Sequence, residues 1–257
     1  MTKRIMKRIA AVLLAGCIFA LGAQAESGTF VFSVPEVLVT QAPTIAVQEA
    51  ISEQPIAVDP SQIRSVEDLP WNLTLVNSTH AVPDDWTIPG MTELRRGQRV
   101  DSRIYPELQA MFDAARAAGI RPLVLTSYRT YEDQKQMLIN KYRKFKDKGM
   151  SQEEAQAEAL KLAAYPGYSE HQLGLAVDID SDNTEECSNS EVWDWMKHHC
   201  QEYGFIWRYP GVKSEITGIS NEEWHFRYVG VEAATYIMEH QICLEEYLAE
   251  VYGLDCM

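Results

Sequence analysis

The chain is poor in positive charge: 23 Lys and Arg stand against 37 Asp and Glu in 257 residues. Four of those basic residues and none of the acidic ones fall in the first 25 positions. Residues 26–257 therefore carry 19 against 37, a net charge of −18. Phosphate binding needs clustered Lys and Arg, so nucleic acid is excluded as a partner, and electrostatic adhesion to anionic polymers is disfavoured. The acidity serves solubility instead. Neither a Gly-x-Ser-x-Gly elbow nor a phosphate-binding glycine loop occurs, which leaves serine hydrolases of that type and nucleotide enzymes without support. Only five cysteines are present. No two of them form a Cys-x-x-Cys pair, so a zinc–thiolate site lacks its usual ligand spacing. After residue 25, no hydrophobic run reaches the about 20 residues that a membrane-spanning helix needs.

The first 25 residues have the layout of an export signal. Lys3, Arg4, Lys7 and Arg8 form a basic start, Ile9 to Leu21 is an almost unbroken apolar run, and Ala23-Gln24-Ala25 presents the small residues of a cleavage site. A second reading stands beside this one. Leu14-Ala15-Gly16-Cys17 resembles a lipoprotein box, in which Cys17 would be lipidated and tether the chain to a membrane. An uncleaved N-terminal anchor is a third reading, and all three place the remainder outside the cytoplasm, in the cell envelope. Cys187, Cys200, Cys243 and Cys256 then form an even set in an exported chain, compatible with disulfides. Pairing of sequence neighbours, Cys187 with Cys200 and Cys243 with Cys256, is the local expectation.

Residues 26–69 contain several prolines, seven acidic residues and Arg64 as the sole basic one. Without sustained periodicity, the stretch reads as a flexible stalk, with Thr29–Val34 as a possible edge strand. From Pro70 the aromatics and regular apolar spacing begin, and residues 70–257 suffice for one domain with a substantial core. Helical periodicity covers Ile104–Ala118 with Gly119 as its stop, then Tyr131–Lys146 and Ser151–Ala164, broken at Gly149. Ser190–Tyr203 reads as a helix capped by Ser190, and Val231–Tyr252 as one closing helix. Pro122–Ser127, Leu175–Ile179, Phe205–Arg208 and Trp224–Val229 read as strands. This mixture, without regular βαβ alternation, predicts an α+β domain: a small, mainly antiparallel sheet flanked by helices.

Three segments carry chemistry. In YPGYSEHQLGLAVDID (165–180), Leu175, Val177 and Ile179 alternate with Ala176, Asp178 and Asp180. Asp178 thus points away from the apolar face, small Ala176 leaves space beside it, and His171 can fold back over that face. Imidazole and carboxylate are suitable zinc ligands. In NEEWHFRYVG (221–230), Trp224, Phe226 and Tyr228 alternate with Glu223, His225 and Arg227, which turns His225 away from the aromatics. A catalytic zinc takes three protein ligands and keeps one position open. His171, Asp178 and His225 supply that set, and a nearby Glu can act as general base. In TSYRT (126–130), Arg129 follows a strand, from which a guanidinium could stabilise an oxyanion. His80, His198, His199 and His240 have no partners at ligand spacing.

Together these segments resemble the VanY-type D-alanyl-D-alanine carboxypeptidases and the related D,D-dipeptidases. Ser169, His171, Gly174, Ala176 and Asp178 match that family's Ser-x-His-x-x-Gly-x-Ala-x-Asp motif, and Glu222, Trp224 and His225 its Glu-x-Trp-His motif. A Ser-x-Tyr-Arg-like motif is met with Thr126 in the place of serine, or one residue tighter from Ser127. The resemblance spans about residues 70–240. It implies one zinc ion, Glu222 as base, Arg129 as oxyanion partner, Ser169 and Ser127 as substrate contacts, and peptidoglycan stem peptides ending in D-Ala-D-Ala as substrate. Strand alternation taken alone favours Glu223; a bulge or a strand start before Trp224 would turn Glu222 inward as the resemblance implies, with Glu223 as the reserve. An L,D-carboxypeptidase, a wall-peptide endopeptidase and a non-catalytic wall-binding module are the alternative functions.

Overall fold

A computed structural model describes residues 62–256. The export segment, Cys17, residues 26–61 and the Thr29–Val34 strand lie outside the described residues. Among the described residues, no helix is long and apolar enough to cross a membrane.

The described residues form an α+β fold. A two-stranded ribbon, β1 (Met91–Glu93) with β2 (Arg99–Asp101), precedes helix α1 (Tyr105–Ala117). Strand β3 (Pro122–Thr126) leads into α2 (Tyr131–Lys146) and α3 (Gln152–Leu160). Strand β4 (Ala176–Ser181), helix α4 (Asn189–His199), strand β5 (Phe205–Tyr209), the short helix α5 (Ser214–Thr217) and strand β6 (Glu222–Tyr228) follow. Helices α6 (Val231–His240) and α7 (Leu244–Tyr252) end the chain. The main sheet is antiparallel, in the order β3-β4-β6-β5.

The period of two divides this sheet into two faces. Val124, Val177, Ile179 and Phe226 join Leu108, Met111 and Phe112 of α1 and Val192 and Met196 of α4 in the larger core. On the opposite face Ile206 and, just past β6, Val229 pack with α6, α7 and the segment from Ile63 to Leu75. That second core reaches only part of the sheet, and Asp178 and His225, paired across β4 and β6, lie beside it.

Local signals explain most boundaries. Thr130 caps α2 in a reciprocal box with Asp133, and Ser151 caps α3 in one with Glu154. Helix α4 is capped by Ser188, not the expected Ser190, because Glu191 sits three residues after Ser188 and returns a bond to its main-chain N–H at 2.7 Å. The expected single helix 231–252 is two. Gln241 adopts a left-handed conformation (φ 54°), and Cys243 starts α7 with Glu246 completing a box. The domain also begins earlier than Pro70: Ile63 and Leu69 are buried in the second core, so residues 62–69 are packed structure and not stalk.

All four described cysteines are buried, unpaired thiols. The 11-residue helix α4 lies between Cys187 and Cys200. At 1.5 Å per residue it holds them about 16 Å apart, beyond the about 7 Å limit for a disulfide, so that expected pairing is excluded.

Candidate metal centre and active site

His171 reaches the sheet through a turn that its own sequence dictates. Glu170–Leu173 form one 3-10 turn, closed by Gly174 in the left-handed region (φ 76°). A side chain there would put its Cβ 3.2 Å from the Asp101 backbone nitrogen, whose N–H bonds the Gly174 carbonyl. Glycine is therefore demanded both by conformation and by the close approach of β2. From this turn the chain enters β4, and His171 lies back over Asp178.

Register places the other two groups. Asp178 pairs with His225 across β4 and β6, so their side chains share one face. His171 Nε2 is 3.4 Å and His225 Nδ1 is 3.1 Å from Asp178 Oδ1, and the three atoms lie within 4.8 Å of one another. Ligands of a tetrahedral zinc stand about 3.4 Å apart along each edge of the tetrahedron. The outer nitrogens are also engaged. His171 Nδ1 lies 2.8 Å from the Ser127 carbonyl and His225 Nε2 3.3 Å from Glu170 Oε2. Carbonyl and carboxylate only accept, so each outer nitrogen carries a proton and donates. In the neutral rings the lone pairs of Nε2 and Nδ1 then face each other across Asp178. Asp178 Oδ1 is buried without a well-directed hydrogen bond. Three convergent lone-pair donors of N and O type fit a divalent zinc ion.

The electrostatics agree. Burial pushes the His171 pKa down to about 4, outweighing Asp178, so the ring is neutral at pH 7. Burial also opposes charge on His225, but the adjoining carboxylates of Asp178 and Glu170 raise its pKa to about 9, so the metal-free site favours a proton on Nδ1 that a metal ion would displace. For Asp178, burial acts upward, and the two histidines more than offset it, holding the carboxyl well below the ordinary range.

Glu222 is the acidic group beside the ligands. The β5–β6 register slips between Trp207 and Tyr209: Trp207 pairs with Phe226, yet Tyr209 pairs with Glu222. The extra residues on β6 form a bulge that brings Glu222 Oε2 to 3.6 Å from His225 Nδ1. Glu223 instead binds Lys197 Nζ at 2.8 Å, on a more exposed side of the strand. Burial pushes the Glu222 carboxyl up to about 7, the range of a working general base.

Arg129 follows β3, its backbone N–H bonded to the His171 carbonyl. Among the described residues its guanidinium makes one hydrogen bond, from a terminal nitrogen to the Met137 sulfur (2.7 Å), and its Nε is buried without a partner. Burial lowers its pKa, while Asp178 and Glu222 raise it. Ser169, also buried, opens the His171 turn without making a capping bond.

Ser127 departs from expectation. Its hydroxyl is fully buried, donating to Gln98 Oε1 and accepting from the Arg99 N–H, each at 2.9 Å. Its contribution to the site is the main-chain carbonyl that orients His171, not a side-chain contact to substrate. Tyr209 is a neighbour that the sequence reading missed. Its ring lies 4.7 Å from that of His225 (centroid to centroid), an approach created by the β5–β6 bulge and invisible to periodicity.

Three convergent donors that could hold one metal ion, with a buried carboxyl and a guanidinium beside them, are the arrangement of a mononuclear metallohydrolase. The family described as "VanY: D-alanyl-D-alanine carboxypeptidase" matches residues 97–231. A D-alanyl-D-alanine carboxypeptidase of Enterococcus faecalis is 49% identical over 178 residues, covering 69% of this chain and 66% of that protein. The chain thus spans about two thirds of that relative's length. The solved structure of a vancomycin-resistance D,D-pentapeptidase VanY variant, in complex with Zn(II), superposes with a TM-score of 0.67 at 48% identity, covering 69% of this chain and 99% of the other. A peptidoglycan-recognising LD-carboxypeptidase, LdcB, gives a TM-score of 0.56 at 32% identity, covering 74% and 94%. The chain belongs to the VanY family of D-alanyl-D-alanine carboxypeptidases.

Proposed function

We propose that this protein is a zinc D-alanyl-D-alanine carboxypeptidase, acting outside the cytoplasm on peptidoglycan stem peptides that end in D-Ala-D-Ala. The observation that carries the reading is the convergence of His171 Nε2, Asp178 Oδ1 and His225 Nδ1 within 4.8 Å, with Glu222 Oε2 3.6 Å from the last of them. The related VanYB structure in complex with D-alanine-D-alanine, 48% identical, supports the substrate.

A zinc ion held by those three ligands supplies a Lewis acid that acidifies water and polarises the scissile carbonyl. Glu222 takes a proton from the attacking water and delivers it to the departing amine of D-Ala. Its buried setting raises the proton affinity of its carboxyl, which suits a group that takes up and returns a proton. Arg129 offers positive charge not neutralised by a contacting carboxylate, suited to the oxyanion that develops on the carbonyl oxygen. Ser169 stands beside His171 to contact the substrate. No protein nucleophile takes part, so hydrolysis proceeds without a covalent intermediate.

The basic start and apolar run of residues 3–21 support export, by cleavage after Ala25 or with a lipid tether on Cys17. Mass analysis of the mature N-terminus separates these routes. The likeness to LdcB favours L,D-carboxypeptidase activity as the second reading. The deciding experiment incubates zinc-loaded protein with a stem pentapeptide, a tetrapeptide and a cross-linked fragment, with a chelator-treated control. Loss of one D-Ala from the pentapeptide, abolished by chelator, is expected. Cleavage of the tetrapeptide alone would move the specificity to L,D, and silence on all three would overturn the enzymatic reading.

A further inference from the structure

Four charged side chains with no solvent exposure lie behind the metal ligands: Glu170, Arg208, Arg227 and Glu245. Burying charge is costly unless each group is paired and hydrogen-bonded, and here every one is. Arg208 forms a two-pronged pair with Glu245 (2.7 and 2.8 Å), and its Nε donates to Glu170 Oε1 at 2.8 Å. Arg227 donates to the same Oε1 at 3.1 Å and gives three more N–H groups to the carbonyls of Asn72, Thr74 and Tyr228. Two guanidinium groups thus fix Oε1 of Glu170, leaving Oε2 for His225 Nε2 at 3.3 Å. The carboxylate cannot rotate away without abandoning one arginine or both.

The elements supplying these groups are distant in sequence. Glu170 lies in the His171 turn, Arg208 on β5, Arg227 on β6 and Glu245 in the first turn of α7. Two strands of the sheet therefore meet at the Glu170 carboxylate, α7 joins through Arg208, and the other oxygen faces His225. A carboxylate accepting the outer N–H of a coordinating histidine fixes the ring's tautomer and orientation and raises its basicity.

The geometry points to Glu170 as the positioning residue of the metal centre: clamped by Arg208 and Arg227, it holds His225 with Nδ1 toward the metal. This rests on the zinc reading above and extends it to a residue that touches neither metal nor substrate. Oε1 carries the structural load and Oε2 the functional one, so the variants must be read by zinc affinity and fold stability separately. Glu170→Asp keeps the negative charge near the arginines but withdraws the whole carboxylate, the oxygen facing His225 included. Glu170→Gln keeps the length and removes the charge.

The test measures zinc affinity by competition with a chromophoric chelator, the visible absorption of the cobalt(II)-substituted proteins, and thermal midpoints of the metal-free proteins. Glu170→Asp is expected to bind zinc about 10- to 100-fold more weakly than wild type and to shift the cobalt ligand-field bands. If Glu170→Asp does not fold, Glu170→Gln is expected to show the same two changes. A folded variant of either kind with lowered thermal midpoint, wild-type zinc affinity and unshifted cobalt bands would assign Glu170 a purely structural role and overturn the inference. Wild-type protein that binds no zinc would instead overturn the metal reading itself, and that outcome is visible before any variant is made.

Discussion

Replacing Glu222 by glutamine should separate catalysis from stability, with effects of opposite sign. The side chain is mostly buried, and burial lifts its carboxyl from the ordinary 4.5 to about 7. In the metal-free fold the group therefore binds its proton more tightly than in the unfolded chain. Below about pH 4 both states hold most of that proton and the site costs little. As the pH rises from about 4.5 to 7 the unfolded chain gives up this proton while the buried carboxyl keeps it, so stability falls, and the loss levels off above 7. A shift of this size corresponds to about 3 kcal/mol at pH 8. Glutamine matches the shape and carries no charge, so metal-free Glu222→Gln should exceed wild type by about that amount at pH 8 and by far less at pH 5. Turnover should move the other way, because an amide cannot accept the water proton. A loss of about 100- to 10,000-fold in kcat is expected from removing a general base. Urea unfolding at the two pH values, beside release of D-Ala from a pentapeptide, checks both halves. Near-normal turnover would refute Glu222 as the base. Equal stability gaps at pH 5 and pH 8 would refute the raised carboxyl.

Other expectations follow from the same geometry. His171→Ala and His225→Ala should each lose tight stoichiometric zinc, measured by metal analysis after dialysis; retention of one equivalent would reject the ligand set. Arg129→Met should keep its zinc and lose about 100- to 1,000-fold in kcat, the usual effect of deleting an oxyanion donor; an unchanged kcat would remove it from the chemistry. Glu245→Gln should destabilise the fold by about 3–5 kcal/mol at neutral pH by leaving Arg208 half-paired. Burial alone would raise the Glu245 carboxyl, but Arg208 outweighs burial and lowers it. The stability it contributes is thus present above its unfolded pKa and lost as pH falls through the folded one. The gap between variant and wild type in urea midpoints should accordingly narrow below about pH 4.5. A pH-independent gap would contradict this.

Periodicity and caps carried much of this fold in plain view. Tyr131–Lys146 is a helix with the boundaries its pattern announces, and Asp178 and His225 share a face because each alternates with apolar neighbours. What escaped was information that depends on partners far along the chain. The ribbon of β1 and β2 is three residues per strand, too short for alternation to register. Ile63 and Leu69 look like stalk until the helices they pack against, more than 160 residues later, are in place. Ser127 could be read as a substrate contact only because nothing local reveals that Gln98 and Arg99 consume its hydroxyl. The choice between Glu222 and Glu223 lay between these cases. Alternation favoured Glu223, and a register slip against β5, which no property of residues 221–230 encodes alone, brought Glu222 to the ligands.

The same limit applies more strongly to Glu170. In sequence it is one acidic residue among 37, wedged between a serine and a histidine that draw the attention. Its significance comes from charge balance. Two arginines with no exposure require two carboxylates, and Glu245 alone satisfies only Arg208. Arg227 points from β6 to the same face as His225, so the second carboxylate must sit where it also meets that histidine. The surface of this protein is strongly acidic, yet its interior is neutral around the site, with Glu170 and Glu245 matched to Arg208 and Arg227. A metal cation would therefore meet the charge of Asp178 and Glu222 undiluted by the arginines behind. Removing charge at Glu170 would leave one of those arginines unmatched directly behind His225, so zinc affinity should fall in Glu170→Gln even where the fold survives.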